Sequence, residues 1–131
     1  MSEEALERIK FLRANLPHFC ATTLKILDKD GEMVPLVFNT PQTILHEAAE
    51  RQRAEKGWVR ILVLKARKQG ISTYVQARNF HRTTLWPHQH AYILKHEAPA
   101  TDVIFDIVDR YCRHSPLAPV IGTSNAKDLA F

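Results

Sequence analysis

The chain has 131 residues, a formal net charge of +4 and an apolar fraction of 45%, which fits one compact domain with a core of ordinary size. No run approaches the ~18 apolar residues of a membrane span, and the acidic start Met1–Glu4 is unlike a secretory signal peptide. We therefore expect a cytoplasmic protein. The two cysteines, Cys20 and Cys112, lack metal-ligand spacing, so buried and reduced thiols are predicted.

The positive charge is concentrated in one stretch of the chain. Residues 51–68 contain seven basic side chains and one acidic side chain, whereas the rest of the chain contains 11 basic and 13 acidic residues. A local excess of this kind favours an anionic partner, either a nucleotide or a nucleic acid.

Residues 1–38 are predicted to form a lead-in of one helix and one β-hairpin. The helix covers residues 3–16 and ends before a proline. Two apolar-rich stretches, residues 22–28 and 33–38, flank the turn sequence Asp28–Gly31, and this pattern is typical of a hairpin.

Residues 39–131 are predicted to alternate helices and strands. The predicted elements are a helix from Pro41 to Lys56, a strand from Trp58 to Leu64, a helix from Ser72 to Trp86, a strand from Ala91 to Leu94 and a helix over residues 99–113, followed by irregular chain. Thr40 fits the N-cap of the first helix, and Gly57 fits its end. The nearly unbroken apolar run of the first strand is typical of a parallel strand covered on both faces. We therefore expect an α/β fold with a parallel sheet and flanking helices, incomplete within this chain.

The segment Lys65–Thr73 has the order of a phosphate-binding loop, because a basic turn ending in glycine joins an apolar strand to a hydroxyl pair that opens a helix. Backbone N–H groups at a helix N-terminus bind anions in this arrangement. Against the usual pattern G-x-x-x-x-G-K-S/T, Gly70 and Ser72 are in register, whereas Lys65 replaces the first glycine and Ile71 replaces the lysine.

The remaining positive charge of this loop lies upstream of the usual lysine position, at Arg67 and Lys68. An arginine stays charged at any working pH and can donate to two phosphate oxygens at once, so Arg67 could replace the missing lysine. A strand-to-helix turn with solvent-exposed basic residues is the alternative interpretation, and the loop sequence leaves both open.

Gln42 lies upstream of the loop, at the start of a predicted helix. Its amide offers both a donor and an acceptor, as recognition of an adenine edge requires. An exposed glutamine with no binding role is the alternative. The seven histidines show no zinc-ligand spacing, and we predict no metal site from them.

Taken together, Asn39-x-x-Gln42, the block Leu64–Thr73 and Ala91–Leu94 resemble the front of the large terminase subunit, the ATPase-nuclease that pumps DNA into the capsids of tailed bacteriophages. That family has a deviant Walker A loop of the form R-x-x-G-x-S/T, in which the basic residue is shifted, and an upstream glutamine that contacts adenine. The resemblance implies a P-loop NTPase-type parallel sheet, with residues 1–38 as a lead-in and residues 39–131 as the first half of the ATPase domain.

The resemblance also implies roles for individual residues. Gln42 would contact adenine, Arg67 and Gly70 would hold the phosphates, and Lys68 would be a second candidate for phosphate contact. The hydroxyl of Ser72 would coordinate magnesium. The implied nucleotide-binding set is Gln42, Lys65, Arg67, Lys68, Gln69, Gly70, Ile71, Ser72 and Thr73, and the implied cofactors are ATP and Mg²⁺.

Part of the family's machinery has no counterpart in these 131 residues. The Asp-Glu pair that holds magnesium and orients water, the coupling motif and the nuclease acids are absent, so we assign no catalytic residue and expect no useful turnover from this chain alone. The implied partners in the bacterial host cell are double-stranded DNA, the small terminase subunit and the procapsid portal, with a ring homo-oligomer and no membrane. A helicase-like P-loop motor and a basic nucleic-acid-binding module without ATP chemistry stay open as alternatives.

Overall fold

The computed structural model describes residues 2–66, 69–86, 89–92, 94, 106–113, 123–124 and 129–130. The helices are α1 (Glu3–Ala14), α2 (Leu16–Thr23), α3 (Thr40–Lys56), α4 (Ile71–Leu85) and α5, described over residues 106–113. The strands are β1 (Lys25–Leu27), β2 (Met33–Pro35), β3 (Thr123–Ser124) and β4 (Leu129–Ala130), and β1–β2 and β3–β4 are two separate antiparallel pairs. The fold is therefore α/β in the broad sense, as predicted. Among the helices of the described ranges, none combines the length and the hydropathy needed to cross a membrane.

The first helix is confirmed, but the proline after it opens a second helix that the sequence interpretation missed. Asn15 ends α1 and also caps α2, where its side-chain oxygen accepts a hydrogen bond from the N–H of His18. Pro17 lies in the first turn of α2, where its missing N–H costs nothing because that donor has no intrahelical partner. The predicted strand over residues 22–28 consequently shortens to β1.

The predicted hairpin is confirmed. Ile26 is the register partner of Val34. Asp28 closes the turn, because its carboxylate accepts hydrogen bonds from the N–H groups of Asp30 and Glu32, each at 2.9 Å.

Helix α3 is confirmed with two changes at the residue level. Asn39, not Thr40, is its N-cap, and it forms a reciprocal capping box with Gln42. Gly57 ends the helix with φ at +76°. Ile44, predicted on the inner face, is 63% exposed.

The apolar segment from Trp58 to Leu64 forms no strand in the structure. The chain over residues 59–66 is irregular, and Leu62 and Leu64 are fully exposed. A strand needs a neighbour for its backbone hydrogen bonds, and none of the described strands pairs with this segment. The prediction of a strand covered on both faces is therefore wrong for this structure, and no parallel sheet is seen within the described ranges.

The prediction for the second half of the chain is confirmed in part. Helix α4 matches the predicted helix, and α5 matches the end of the helix predicted over residues 99–113, of which residues 99–105 lie outside the described residues. Of the predicted strand from Ala91 to Leu94, the described residues are irregular, and residue 93 lies outside the description. The short pair β3–β4 lies where irregular chain was predicted.

The core lies where α2, the hairpin, α4 and α5 meet. Its largest fully buried side chains include Phe19, Tyr74, Phe80 and Tyr111. The ring of Phe80 lies between Phe19 and Tyr111, with ring centroids 6.5 and 5.9 Å away. Burying each such side chain contributes about 1.5–3 kcal/mol, so this cluster fixes the position of α4.

Both cysteines are buried and reduced, as predicted. Burial raises the pKa of the Cys20 thiol to about 12. Burial, and to a smaller extent Asp109, raises the pKa of Cys112 to about 11. Neither thiol is therefore activated for chemistry.

Candidate functional site

The predicted loop lies in the structure between an irregular apolar segment and the start of α4. Gln69 and Gly70 directly precede the helix, and Ile71 is its first residue. The two predicted phosphate-binding cations, Arg67 and Lys68, lie outside the described residues.

Gly70 has a backbone conformation and surroundings that only glycine fits. Its φ is +77°, in the left-handed region, and a Cβ added there would lie 2.6 Å from Nε2 of Gln42 and 3.1 Å from Nδ2 of Asn39. A side chain at this position would therefore suffer both backbone strain and a steric clash. The glycine of the predicted pattern is required by the geometry of the turn.

The capping box of α3 fixes the end of the loop. Nε2 of Gln42 donates to the carbonyl oxygen of Gly70 at 2.8 Å, and Nδ2 of Asn39 donates to the carbonyl oxygen of Gln69 at 3.2 Å. The other end of each amide closes the capping box, because the N–H of Asn39 donates to Oε1 of Gln42 and the N–H of Gln42 donates to Oδ1 of Asn39, each at 2.9 Å. The start of α3 is thus tied to the start of α4.

This arrangement gives Gln42 a structural task that the sequence did not indicate. The residue is 3% exposed, and both ends of its amide are engaged by backbone groups. One N–H and one lone pair of the amide make no hydrogen bond among the described residues. Sequence reasoning also gave Asn39 no role of its own at the site, although the pattern Asn39-x-x-Gln42 fits a capping box.

The N-terminus of α4 carries no side-chain cap, because its N-cap residue is Gly70. The first N–H groups of a helix have no intrahelical partners and lie at the positive end of its dipole, where an anion is stabilised. Among the described residues, no partner is found for the hydroxyl of Ser72 or of Thr73. The carbonyl of Thr73 accepts a hydrogen bond from the hydroxyl of Tyr111 at 3.0 Å, which ties this first turn to α5.

Gln76 adds an unsatisfied acceptor beside Ser72. It follows Ser72 by one helical turn, it is 3% exposed, and its Oε1 has no partner among the described residues. Because Oε1 of Gln76 is closed off from solvent, it is not open to a hydrated ion. Ser72 is half-buried, and its hydroxyl suits a hydrated magnesium ion, which prefers oxygen ligands and keeps several waters. The described residues contain no cluster of three metal-ligating side chains, so the phosphates would supply the other ligands.

An apolar groove of about 540 Å³ lies next to the loop. One wall is the first turns of α3, including Pro41 and Ile44, and the other is the exposed segment from Ile61 to Ala66. Gln69 and Ile71 lie at its end, so the groove leads to the start of α4. Lys65 also lines the groove, and its Nζ donates to the carbonyl of Ala66 at 3.3 Å.

Comparison with known proteins adds no assignment to this geometry. No protein-family model matches the sequence, and no curated protein matches it significantly.

Proposed function

We propose that residues 65–73 bind the phosphates of ATP, and that this chain is the ATP-binding part of a DNA-packaging motor of the terminase large-subunit type. ATP hydrolysis in such a motor would drive double-stranded DNA into a capsid. The observation that supports this most is the uncapped start of α4 behind Gly70, held in place by Asn39 and Gln42.

In this proposal the backbone of the loop binds the phosphates. The N–H groups at residues 71–73 face an anion, and Arg67 and Lys68 supply the positive charge that the usual lysine provides elsewhere. Gln42 orients the turn and contacts adenine through the part of its amide that the protein leaves unused.

Magnesium bound with ATP would neutralise part of the phosphate charge. The hydroxyl of Ser72, for which no partner is found among the described residues, is the protein ligand that fits it. The sequence lacks the Asp-Glu pair that would hold magnesium and orient the attacking water, so binding rather than turnover is the expected activity.

The further partners follow from the proposed motor. They are double-stranded DNA, the small terminase subunit and the portal of the procapsid, with a ring homo-oligomer as the working assembly.

The substitution Ser72→Ala tests the site. In calorimetric titration with ATP, we expect at least tenfold weaker binding for the variant in the presence of magnesium, because its hydroxyl is a metal ligand. The parent and the variant should bind alike in EDTA. The control Thr22→Ala removes an exposed hydroxyl on α2 and should leave both affinities unchanged. Equal affinity of the parent and Ser72→Ala with magnesium would refute the assignment.

The second candidate function, nucleic-acid binding without ATP chemistry, is favoured by one local feature. Trp58 is 48% exposed, and the cations of Lys56 and Arg60 each lie 5.2 Å from the centre of its ring. An exposed aromatic ring between cations is a surface on which bases stack and phosphates bind. DNA binding that falls steeply with salt, ignores ATP and is lost in the double variant Lys56→Ala, Arg60→Ala would favour this candidate instead.

A further inference from the structure

Besides the apolar groove, the structure has a cavity of about 340 Å³ with charged residues in its lining. It lies between α1, α3 and the C-terminal half of α4. Its charged lining consists of Lys10, Arg13, Glu50, Arg53, Arg78 and Arg82. Arg82 follows Ser72 by ten residues on α4, a distance of about 15 Å along the helix axis. The cavity is therefore separate from the loop at the start of α4.

The cavity has a large excess of positive charge. Five of the six charged side chains are cations, and the single carboxylate, Glu50, is already paired with Arg78 at 2.8 Å. Lys10 pairs with Glu7 at the surface. Among the described residues, Arg53 and Arg82 have no carboxylate partner.

The surrounding structure holds these cations in place. Nε of Arg13 donates to the carbonyl oxygen of Leu85 at 2.7 Å, at the end of α4. The guanidinium groups of Arg13 and Arg82 lie 5.3 and 4.5 Å from the ring centre of Trp86. Arg78 also donates to the hydroxyl of Tyr74 at 3.2 Å. Arg13, Arg78 and Arg82 are therefore positioned before any ligand arrives, which reduces the entropy lost on binding.

The cations repel one another in this partly buried setting. Burial, and then the charges of Arg53 and Arg78, lower the pKa of Arg82. Burial raises the pKa of Glu50, but the hydrogen bond and the charge of Arg78 outweigh it, so this carboxylate stays ionised with a lowered pKa. Even with Glu50 ionised, the cavity retains net positive charge that an anion would neutralise.

We propose that this cavity is a second anion-binding site and that it takes a phosphate group. Arginine is suited to phosphate because its planar fork donates two parallel hydrogen bonds. Within the described part of the chain, Arg53 and Arg82 form no ion pair with a carboxylate. The volume of about 340 Å³ lies within the range for ligand pockets, about 300–1,000 Å³, so a phosphate group can enter together with part of the molecule that carries it. The phosphate would come from a nucleotide or from a nucleic-acid backbone.

The test uses the full chain and the double variant Arg53→Gln, Arg82→Gln. Neither side chain makes a protein hydrogen bond among the described residues, so the variant should fold. Its thermal midpoint should change little, because loss of the repulsion between the cations offsets loss of the contact between Arg82 and the ring of Trp86. The matched control, Arg8→Gln with Lys29→Gln, removes the same charge from two exposed positions outside the cavity. Calorimetric titrations use inorganic phosphate, pyrophosphate, ATP with EDTA, and a 20-base-pair DNA.

We expect the double variant to bind at least one of these probes tenfold or more weakly, and the control pair to bind within twofold of the parent. Binding of pyrophosphate or ATP would identify a nucleotide as the source, and binding of DNA alone would identify the backbone phosphate. These titrations contain no magnesium, so the loss expected in the double variant does not depend on the hydroxyl of Ser72. Failure of the magnesium-dependent Ser72→Ala test and failure of the cavity assignment therefore give different results. A parent that binds none of the probes, or a double variant that binds as tightly as the parent, would overturn the proposal.

Discussion

At the residue scale, the structure separates the roles of the three described glycines. Gly31, Gly57 and Gly70 all have φ near +80°, but a Cβ would meet no atom within 4 Å at the first two and would meet Gln42 at the third. At Gly31 and Gly57, glycine is favoured only because of the positive φ angle. Gly70 also makes room for the amide that ties the loop to α3.

This difference predicts the effects of two matched substitutions. Gly57→Ala should cost about 1 kcal/mol of unfolding free energy, because only the backbone conformation is strained. Gly70→Ala should cost at least about 1 kcal/mol more, because its Cβ also displaces the amide of Gln42. Urea unfolding at equilibrium measures both values.

A Gln42→Ala background is the control for this prediction. Without the amide, most of the extra cost of Gly70→Ala should disappear, since only the longer approach to Nδ2 of Asn39, 3.1 Å, remains. Equal costs for Gly57→Ala and Gly70→Ala in the parent chain would contradict the contact.

One buried histidine, His81, and one half-buried histidine, His46, make stability depend on pH. His81 is 5% exposed, and its Nε2 lies 2.7 Å from the carbonyl oxygen of Leu12. Burial lowers its pKa, the backbone hydrogen bond opposes this, and the nearby Arg82 and Arg78 lower it further. Burial also lowers the pKa of His46.

We therefore expect stability to fall on acidification. The unfolded chain takes up protons at these histidines below about pH 6.5, whereas the folded chain resists protonation, so the unfolding free energy decreases as pH falls from about 6.5 through the lowered pKa values. His81→Gln keeps an N–H donor and should flatten this dependence, while His18→Gln, at an exposed position, serves as the control. Urea unfolding between pH 7.5 and pH 5 checks the prediction, and an unchanged slope in His81→Gln would contradict it.

At the scale of elements, the sequence predicted helices well and the sheet poorly. The starts of α3 and α4 depend on residues close in sequence, Asn39 with Gln42 and Gly70. Local sequence patterns therefore predict where these two helices begin to within one residue. A strand is stabilised by a partner elsewhere in the chain, and the apolar run from Trp58 to Leu64 carries no information about that partner. Pro17 was interpreted as the end of a helix, but proline is also common in the first turn of a helix, and here it lies in the first turn of α2.

The same distinction applies to the two sites. Gly70 and Ser72 follow a contiguous pattern, and the structure places both at the start of α4. The charged residues of the second cavity come from three helices, α1, α3 and α4. The sequence indicates this site only through the series Tyr74, Arg78, Arg82 and Trp86 along α4. That four-residue spacing marks one face of a helix, but it does not show that α1 and α3 bring more cations to it.

At the scale of the whole molecule, the most unusual surface is the apolar segment at residues 58–64. Leu62 and Leu64 are fully exposed, and Ile61 and Val63 are 38% and 44% exposed. An exposed apolar segment that pairs with none of the described strands is a ready template for pairing with another strand.

We expect concentration-dependent self-association through this segment. The double variant Leu62→Lys, Leu64→Lys should be monomeric at concentrations where the parent associates, because charge on a strand opposes edge pairing. Sedimentation velocity at several concentrations measures this. The control pair Leu6→Lys, Val37→Lys changes two exposed apolar residues elsewhere and should associate like the parent. A parent that stays monomeric at all concentrations would contradict the expectation.

The most direct test of the central claim is a titration of the full chain with ATP and magnesium, comparing the parent with the double variant Arg67→Ala, Lys68→Ala. Arg8→Ala with Lys29→Ala is the charge-matched control. Because the two loop cations replace the usual lysine of a phosphate loop, we expect at least tenfold weaker ATP binding for the loop variant and unchanged binding for the control. Equal affinity of the loop variant and the parent would contradict phosphate binding by residues 65–73.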